Sequence, residues 1–429
     1  MDAATLLTSD SRFSAERTHI HQLLLQSLEG LAQCPDEEEV SELIELLFAA
    51  SLLREEGRAV QARIVLAPPM VFDSDDGPPS GWQVHRFEIP RRLTADELRR
   101  LSPAAGFFHS LLGVWREKDQ FQIWGVINSG TNWMNAVHGG RRLGQRKHRF
   151  PVLHLRDPGR ITFYLDDQQV AEVFGHQTSL GGLDVFQARW LGDRFARARS
   201  GLIEELRERY GFTHWTTLTL AVLIRRLAQQ FIRRMISLIR ISSHGGTILI
   251  LPSGERGRTM ADQWLEPKYS LSTSGSDLRF RRLTSQIVCR LGQLAGPADN
   301  LEEIWRIYRE SRDGGLEELD EAFFELARFY ADFMRVDGAL VLTRRFETLS
   351  FGSEIRVPHN LISVMEAMDL EGDILEPRDP RADGTRHRSV YRLVLAEPEA
   401  LGIVISQDSS VRFIAHHQDQ VTYWTHNAG

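Results

Sequence analysis

The sequence predicts an α+β protein whose C-terminal part is an α/β domain, and three patterns support this. After residue 242, compact apolar runs alternate with helical patterns, as in a mixed sheet flanked by helices. Short alternating segments broken by turns mark residues 82–182 as β-rich. Apolar residues at helical spacing mark 14–58 and 184–241 as helical. Because 429 residues exceed one ordinary core, we expect two or three domains.

The composition excludes several classes of protein. Hydrophobic residues make up 42% and charged residues 25%, which excludes a wholly disordered or fibrous chain. The net charge of −7 argues against nucleic-acid binding by bulk electrostatics. Two cysteines, Cys34 and Cys289, exclude a disulfide framework and a cysteine-built zinc site. With no secretory signal in residues 1–14 and arginines throughout 218–241, we expect a cytoplasmic protein without a membrane partner.

The N-terminal region is assigned to residues 1–230 and is predicted to be a sensor or regulatory region. It comprises a helical segment 1–58, a β-rich segment 59–183 and a helical linker 184–230. Two helices are predicted within Ser14–Arg58, separated by Pro35. The other predicted elements are a helix at Thr94–Leu101 and strands at Ala59–Leu66, Gln83–Ile89, Gln120–Ile127, Val152–Leu155, Arg160–Leu165 and Gln169–Phe174.

The C-terminal region is assigned to residues 231–429. Its apolar runs are typical of strands buried on both faces, and they lie between helical patterns. The predicted strands are Thr247–Leu251, Ala339–Leu342, Gly402–Ser406 and Val411–Ala415, and the predicted helices are Leu283–Leu294, Asn300–Glu310, Leu316–Met334 and Val390–Leu395. The preceding amphipathic helix, 218–241, is interpreted as a packing helix with a solvated basic face, with a membrane-surface role as the alternative.

Two short motifs carry residue types suited to phosphoryl chemistry. Asp337-Gly338-Ala339 places a carboxylate at the start of a strand, where it suits a divalent metal. Gly384-Thr385-Arg386-His387-Arg388 enters a helix and offers backbone amides, a hydroxyl and two guanidinium groups to phosphate oxygens. Either motif alone is also typical of a turn or a solvated basic surface. Together they supply the metal, positioning and charge neutralisation that nucleotidyl transfer requires.

The segment 326–415 resembles the catalytic domain of diadenylate cyclases of the DisA type. The resemblance rests on Asp337-Gly338-Ala339 before a strand, the Gly384-to-Arg388 run opening a helix, and a later strand ending in Ser406-Gln407. The chain up to about residue 230 is similar to sensor regions that precede such domains in some bacterial proteins. The segment Arg54–Arg58 and the β-rich segment carry this weaker similarity.

The resemblance implies condensation of two ATP molecules into the second messenger cyclic di-AMP, with release of two pyrophosphates. Two catalytic domains would meet face to face in a homo-oligomer, each presenting one ATP. The implied catalytic residues are Asp337, Arg386, His387 and Arg388, and the implied nucleotide-binding residues are Gly338, Ala339, Leu340, Gly384, Thr385, Ser406 and Gln407. Asp337 and His387 are the implied ligands of a Mg²⁺ or Mn²⁺ cofactor.

Two alternatives stay open at the level of sequence. A different class of function is a catalytically inactive nucleotide-binding sensor, although the intact Asp337 favours an enzyme because binding alone has no need of a metal-activating carboxylate. The spacing between the two motifs is long, and it includes an acidic, proline-containing segment, Glu354–Asp383. That segment is interpreted either as a lid or as an obstruction of the dimer face.

Overall fold

The computed structural model of the chain divides into two compact units. One unit comprises residues 1–137, 142–182 and 428–429, and the other comprises 138–141 and 183–427. The described residues are 22, 24, 26–28, 35–72, 77, 82–107, 109–117, 119–130, 140–141, 150–165, 168–174, 177–180, 183–242, 244–272, 278–358, 363–406 and 410–426. The helical and strand content confirms the predicted α+β class.

The first unit is built around one large sheet and a separate two-stranded pair. Its helices are α1 (Glu37–Ser51) and α2 (Ala95–Leu101), and its strands are β1 (Arg54–Glu55), β2 (Arg58–Ala59), β3 (Ala62–Leu66), β4 (Gln83–Arg92), β5 (Ser110–Glu117), β6 (Gln120–Asn128), β7 (Pro151–Leu155), β8 (Arg160–Leu165), β9 (Gln168–Phe174) and β10 (Gln177–Leu180). Within the described residues, eight strands lie in the order β10-β9-β8-β7-β3-β5-β6-β4. All neighbours are antiparallel except β3 and β5.

Local sequence signals explain how the helices of this unit begin. The Asp36 carboxylate caps α1 by accepting from the Glu39 backbone N–H, and the Glu39 side chain accepts from the Asp36 N–H. Thr94 caps α2 in the same way, through the Glu97 N–H. Most of the first predicted helix lies outside the described residues, although residues 22, 24 and 26–28 are helical.

The second unit alternates helices with strands, as predicted. Its helices are α3 (Arg189–Arg194), α4 (Ala196–Tyr210), α5 (Thr217–Ser242), α6 (Glu255–Trp264), α7 (Arg279–Ala295), α8 (Leu301–Glu310), α9 (Gly314–Phe333) and α10 (Thr385–Ala396). Its strands are β11 (Gly246–Leu251), β12 (Leu265–Ser270), β13 (Ala339–Thr343), β14 (Thr348–Ile355), β15 (Val364–Ala367), β16 (Leu375–Arg378), β17 (Leu401–Ile405), β18 (Val411–His417) and β19 (Gln420–His426). In the described ranges, no helix is long and apolar enough to cross a lipid bilayer.

A mixed sheet divides the second unit into two apolar layers. Its described strands run in the order β12-β14-β13-β11-β17-β18-β19-β15-β16, with β11 parallel to β13 and antiparallel to β17. Alternate residues of the central strands enter different cores: Ile248 packs with helices α5, α7 and α9, whereas Leu249 packs with α10. The central strands are therefore buried on both faces, which confirms the prediction from their apolar runs.

The compact units divide the chain at a different place from the boundary predicted at residue 230. The segment 184–230 lies with the second unit because its apolar residues enter that unit's core; Leu206, Leu223 and Leu227 are fully buried there. The same burial supports the packing interpretation of 218–241. One arginine of that helix departs from the predicted solvated face, since Arg234 is buried and pairs with Asp320 at 2.8 Å.

The segment Glu354–Asp383 contributes strands rather than a separate insertion. Strands β15 and β16 form an antiparallel pair at one end of the sheet, and β15 runs parallel to β19. Sequence patterns did not reveal these short strands because each has only four residues and β16 is largely exposed.

Candidate functional site

The sheet register of the second unit brings three chain segments to one end of the sheet. Thr247 of β11 lies opposite Ala339 of β13, and Gly246 lies opposite Ile405 of β17. Because β11 is parallel to β13 and antiparallel to β17, the beginnings of β11 and β13 meet the end of β17. Asp337 and Gly338 therefore lie at the same end of the sheet as His244 and Ser406.

The N-terminus of α10 reaches this same end of the sheet. Arg386 donates from Nη1 to the His244 carbonyl oxygen at 3.3 Å, and His387 Nε2 lies 3.5 Å from Ser406 Oγ. Gly384 is the N-cap residue and supplies no side-chain cap to the first helical turn. The positive end of the helix dipole therefore adds to the charge of the arginines at this point.

The predicted residues of α10 differ in exposure. Thr385 and Arg386 are exposed, Arg388 is half-buried, and His387 is buried. Arg388 Nη2 is 3.5 Å from Thr385 Oγ1, so these two predicted phosphate contacts lie together. Helical geometry produces the pattern, since 385, 386 and 388 lie away from the core while 387 shares the inward face with Val390 and Tyr391.

Asp337 provides an exposed carboxylate at this end of the sheet. Its side chain is 89% exposed, and Lys268 Nζ lies 3.8 Å from Oδ2 while donating to the Asp337 carbonyl oxygen at 2.7 Å. Lys268 lies on the edge strand β12 and was not among the predicted site residues. The rarity of lysine in this chain is the one sequence signal that singles Lys268 out.

Glycine is required at position 338 because the backbones of residues 338 and 352 approach each other closely. Its φ is +123°, and a Cβ atom added there would come within 2.3 Å of the Gly352 carbonyl carbon in β14. Ala339 and Leu340 follow with side chains buried in opposite cores. Leu340, predicted to bind nucleotide, can therefore present only its backbone to a ligand.

A buried polar cluster supports the turn before α10. Asp383 accepts from Arg412 Nη1 at 2.7 Å and from the Tyr391 hydroxyl at 2.9 Å. Burial raises the pKa of Tyr391, so its hydroxyl keeps its proton and donates to Asp383. Burial alone would lower the pKa of Arg412, but Tyr391 and Asp383 together raise it. The cluster anchors the residue directly before Gly384.

The oxygen and nitrogen donors at this end of the sheet suit a hard cation whose remaining ligands come from a bound substrate. Among the described residues, no three His, Cys, Asp or Glu side chains cluster as a ready-made metal site. Mg²⁺ commonly uses one or two carboxylates and takes its remaining ligands from substrate phosphates and water. Asp337 fits that mode, with His387 as the second predicted ligand. Gln407, the remaining predicted nucleotide contact, lies outside the described residues.

Comparison with known proteins bears on the first unit. Residues 29–128 match the family described as "Probable sensor domain DACNV", a match that spans α1 to the end of β6. This match covers less than half of the chain; it supports a sensor region in the N-terminal part and suggests a signalling protein linked to diadenylate cyclases.

The other two comparisons add little. No curated protein matches. A crystal structure described as a hypothetical membrane spanning protein from Bacillus cereus aligns at 12% identity, covering 56% of this chain and 93% of the other, with a TM-score of 0.24.

Proposed function

We propose that the second unit is a diadenylate cyclase that condenses two ATP molecules into cyclic di-AMP and two pyrophosphates, under regulation by the N-terminal sensor region. The observation that carries the proposal is the meeting of the Asp337, Arg386 and Ser406 segments at one end of the sheet. These segments are far apart in the chain and carry the motifs of the resemblance. If the two motifs were only an incidental turn and a solvated basic helix start, they would have no reason to lie at the same end of the sheet.

The chemistry suits the residues at this end of the sheet. In each of two symmetric steps, a ribose 3′-oxygen attacks the α-phosphorus of the other ATP. A P–O bond forms, the bond to the leaving pyrophosphate breaks, and the 3′-hydroxyl proton passes to solvent water. Arg386, Arg388 and the α10 N-terminus would stabilise the charge that spreads over the phosphate oxygens.

Asp337 and His387 would hold a Mg²⁺ or Mn²⁺ ion, which supplies charge neutralisation at the phosphates when bound. The high exposure of Asp337 leaves its carboxylate free to approach a phosphate-bound cation. Lys268 would orient the loop that carries Asp337 through its hydrogen bond to the Asp337 carbonyl oxygen. Because the cation would take further ligands from ATP, metal and nucleotide binding should be mutually dependent.

The sensor match supports the regulatory half of the proposal. The DACNV family is associated with diadenylate cyclases, and it occupies a unit separate from the one that carries the candidate site. A ligand of the sensor region would then act at a distance, by changing the equilibrium between active and inactive arrangements.

The experiment is incubation of the purified full chain with ATP and Mn²⁺ or Mg²⁺, followed by chromatography and mass spectrometry. We expect cyclic di-AMP together with two equivalents of pyrophosphate. ATP binding without any product would instead support the alternative, a nucleotide-binding sensor without turnover. If the chain neither binds ATP nor forms product, both the enzyme and the nucleotide-binding sensor are ruled out.

Asp337→Asn tests the carboxylate directly. The substitution removes one charge from an exposed side chain, so we expect at least about a 100-fold lower rate of product formation with an unchanged melting temperature. Asp332→Asn is the matched control, since Asp332 in the last turn of α9 is also exposed and pairs with Arg335 just after the helix. Equal rates for wild type and Asp337→Asn would show that the metal is held elsewhere.

A further inference from the structure

Segment 183–194 carries the chain from the first unit into the second. It begins where the chain leaves the first unit, and it includes helix α3. Two charged residues fix it in the second unit: Asp184 accepts from Arg233 of α5 at 2.7 Å, and Arg194 donates to the His416 carbonyl oxygen at 2.6 Å. A change in the sensor region can therefore reach the second unit through this segment.

Helix α3 is attached to the loop between β15 and β16. Trp190 Nε1 donates to the Leu370 carbonyl oxygen at 3.1 Å, and the Arg189 backbone N–H donates to Glu371 Oε1 at 3.0 Å. The Trp190 ring also stacks on the buried Trp424 of β19, with ring centroids 4.2 Å apart. These contacts tie the loop to the residues that directly follow the sensor region in the chain.

The β15–β16 pair lies at one edge of the sheet. Strand β15 pairs with β19 at Met365–Thr422 and Glu366–Tyr423, and β16 is a largely exposed edge strand that contains Pro377. Short strands with little burial open at a low cost in free energy. Loss of the contacts with α3 should therefore make this pair more mobile.

A series of side-chain contacts joins β15 to the start of α10. A hydrogen bond links Glu366 of β15 to Tyr423, and the Arg412 guanidinium lies over the Tyr423 ring. Arg412 in turn donates at 2.7 Å to Asp383, the residue that anchors the start of α10. The backbone offers a second connection, because residues 379–384 join β16 to α10. Movement of the β15–β16 pair should therefore displace the start of α10.

We propose that segment 183–194 is the element through which the sensor region controls ATP binding. While α3 holds the β15–β16 loop, the start of α10 lies in position to bind phosphate. When a change in the sensor region draws α3 away, that start shifts and the affinity for ATP falls. The inference rests on the proposed function, since it assigns a regulation to the same site. Trp190 and Glu371 are positioning residues in it, because they act on the nucleotide only through α10.

Amide hydrogen exchange of the full chain, followed by mass spectrometry, tests the mechanical step without ATP. Trp190→Phe keeps a ring against Trp424 but loses the N–H that is donated to Leu370, and Glu371→Ala removes the other contact. In both variants we expect about threefold or more faster exchange in β16 and in the first two turns of α10. Unchanged exchange in those turns of α10 would overturn the proposal.

Equilibrium binding of a non-hydrolysable ATP analogue with Mn²⁺ tests the functional step. Trp190→Phe and Glu371→Ala should each weaken binding about fivefold or more, because the phosphate-binding residues are no longer held in place. Wild-type affinity in both folded variants would contradict the proposal, and a lower melting temperature alone would assign α3 a purely structural role.

Two matched controls lie away from this route. Trp305→Phe alters another half-buried tryptophan, whose ring stacks on Tyr308 at 4.9 Å between centroids. Glu325→Ala removes a carboxylate that pairs with Arg328 on α9. Both should exchange and bind the analogue as wild type does. Circular dichroism checks folding, and if Trp190→Phe does not fold, Glu371→Ala decides the question because Glu371 lies in a loop.

The two proposals can fail separately. If the wild-type chain forms no cyclic di-AMP but binds the analogue, and the variants respond as described, the cyclase proposal fails and control of the nucleotide site by α3 is supported. If the wild-type chain forms cyclic di-AMP and the variants keep full affinity, control by α3 fails and the cyclase proposal is unaffected. A wild-type chain that binds no nucleotide overturns both.

Discussion

Neighbouring residues of α10 have different freedom to act on a ligand. Arg386 is exposed and makes one long hydrogen bond to a carbonyl oxygen, whereas His387 is buried against Ser406 and Tyr391. The arginines can therefore reach a phosphate without rearrangement of the core. The His387 side chain is confined by packing, and its part in metal binding stays a prediction.

Replacement of Arg386 and Arg388 by Lys tests the proposed phosphate contacts. An ammonium group retains the charge but cannot reproduce the two parallel hydrogen bonds of a guanidinium. We expect ATP affinity to fall about tenfold or more, measured by equilibrium binding with Mn²⁺ present. Arg381→Lys serves as the control because Arg381 is exposed and pairs with Asp379 outside the helix. Unchanged affinity in the double variant would contradict the predicted contacts.

His426 is a buried titratable residue in the core of the second unit. Its side chain is 3% exposed, and Nδ1 accepts from the Val185 backbone N–H at 3.3 Å. Burial and repulsion from Arg233 lower the pKa of His426 in the folded chain, and these effects outweigh the opposing attraction of Asp184. The folded state therefore holds His426 neutral at pH values where the unfolded chain binds a proton.

Stability should consequently fall as the pH drops below about 6.5, the pKa of an unperturbed histidine. The expected loss from this residue is up to about 1.4 kcal/mol per pH unit. His426→Asn retains an acceptor and cannot titrate, so its unfolding free energy should depend less on pH between 7 and 5. Denaturant titrations at several pH values measure the difference. Parallel curves for the two proteins would show that His426 does not bear this proton linkage.

At the scale of elements, the start of α10 depends on a polar cluster rather than on a helix cap. Gly384 gives the helix no side-chain cap, and the chain is held instead by Asp383 through Arg412 of β18 and Tyr391 of α10 itself. Arg412 also lies over the Tyr423 ring, with its guanidinium carbon 4.3 Å from the ring centroid. The position of the predicted phosphate-binding residues therefore depends on contacts between a helix and two strands.

Asp383→Asn should loosen the start of α10 and raise the KM for ATP. Loss of the charge leaves Arg412 partly buried without an anionic partner, so we also expect about 1–3 kcal/mol lower stability. The separate readout of KM and kcat distinguishes a positioning role from general destabilisation. Asp379→Asn is the control, since Asp379 is more exposed and pairs with Arg381. An unchanged KM despite lower stability would assign Asp383 a purely structural role.

At the scale of the whole molecule, an aromatic ladder adjoins the candidate site. Tyr269 stacks on Phe351, Phe351 on Phe333, and Phe333 contacts Phe329, with ring centroids 4.4–4.8 Å apart. Tyr269 is 53% exposed and Phe329 is 56% exposed. Tyr269 follows Lys268, which contacts Asp337, so the ladder lies next to the groups that would face a second ATP. An exposed apolar surface here suits contact with a second copy of the unit.

Specific activity should therefore rise with protein concentration over the range where dimers form. Each subunit would supply half of the reacting pair, so a monomer cannot complete the reaction. Phe329→Glu should shift both the dimerisation midpoint and the activity curve to higher concentration, measured by analytical ultracentrifugation and product formation. Met368→Glu, at a residue 48% exposed outside the ladder, is the control. Concentration-independent synthesis by a demonstrated monomer would rule out the shared site.

The α+β class, the buried central strands and the order of the motifs could all be predicted from the amino-acid sequence. These features follow from local periodicity and from apolar runs, which a chain displays before it folds. The strand Ala339–Leu342 and the helix Leu316–Met334 were found with nearly the predicted bounds for this reason.

The start of the second unit and the side chains around the motifs became evident only from the folded chain. The segment 184–230 belongs with the second unit because its leucines fill that unit's core, and apolar spacing cannot say which core a helix enters. Lys268 meets Asp337, and Gly352 restricts Gly338, because β12 and β14 pair beside β13. Such pairing depends on contacts between residues far apart in the chain, which no local pattern encodes.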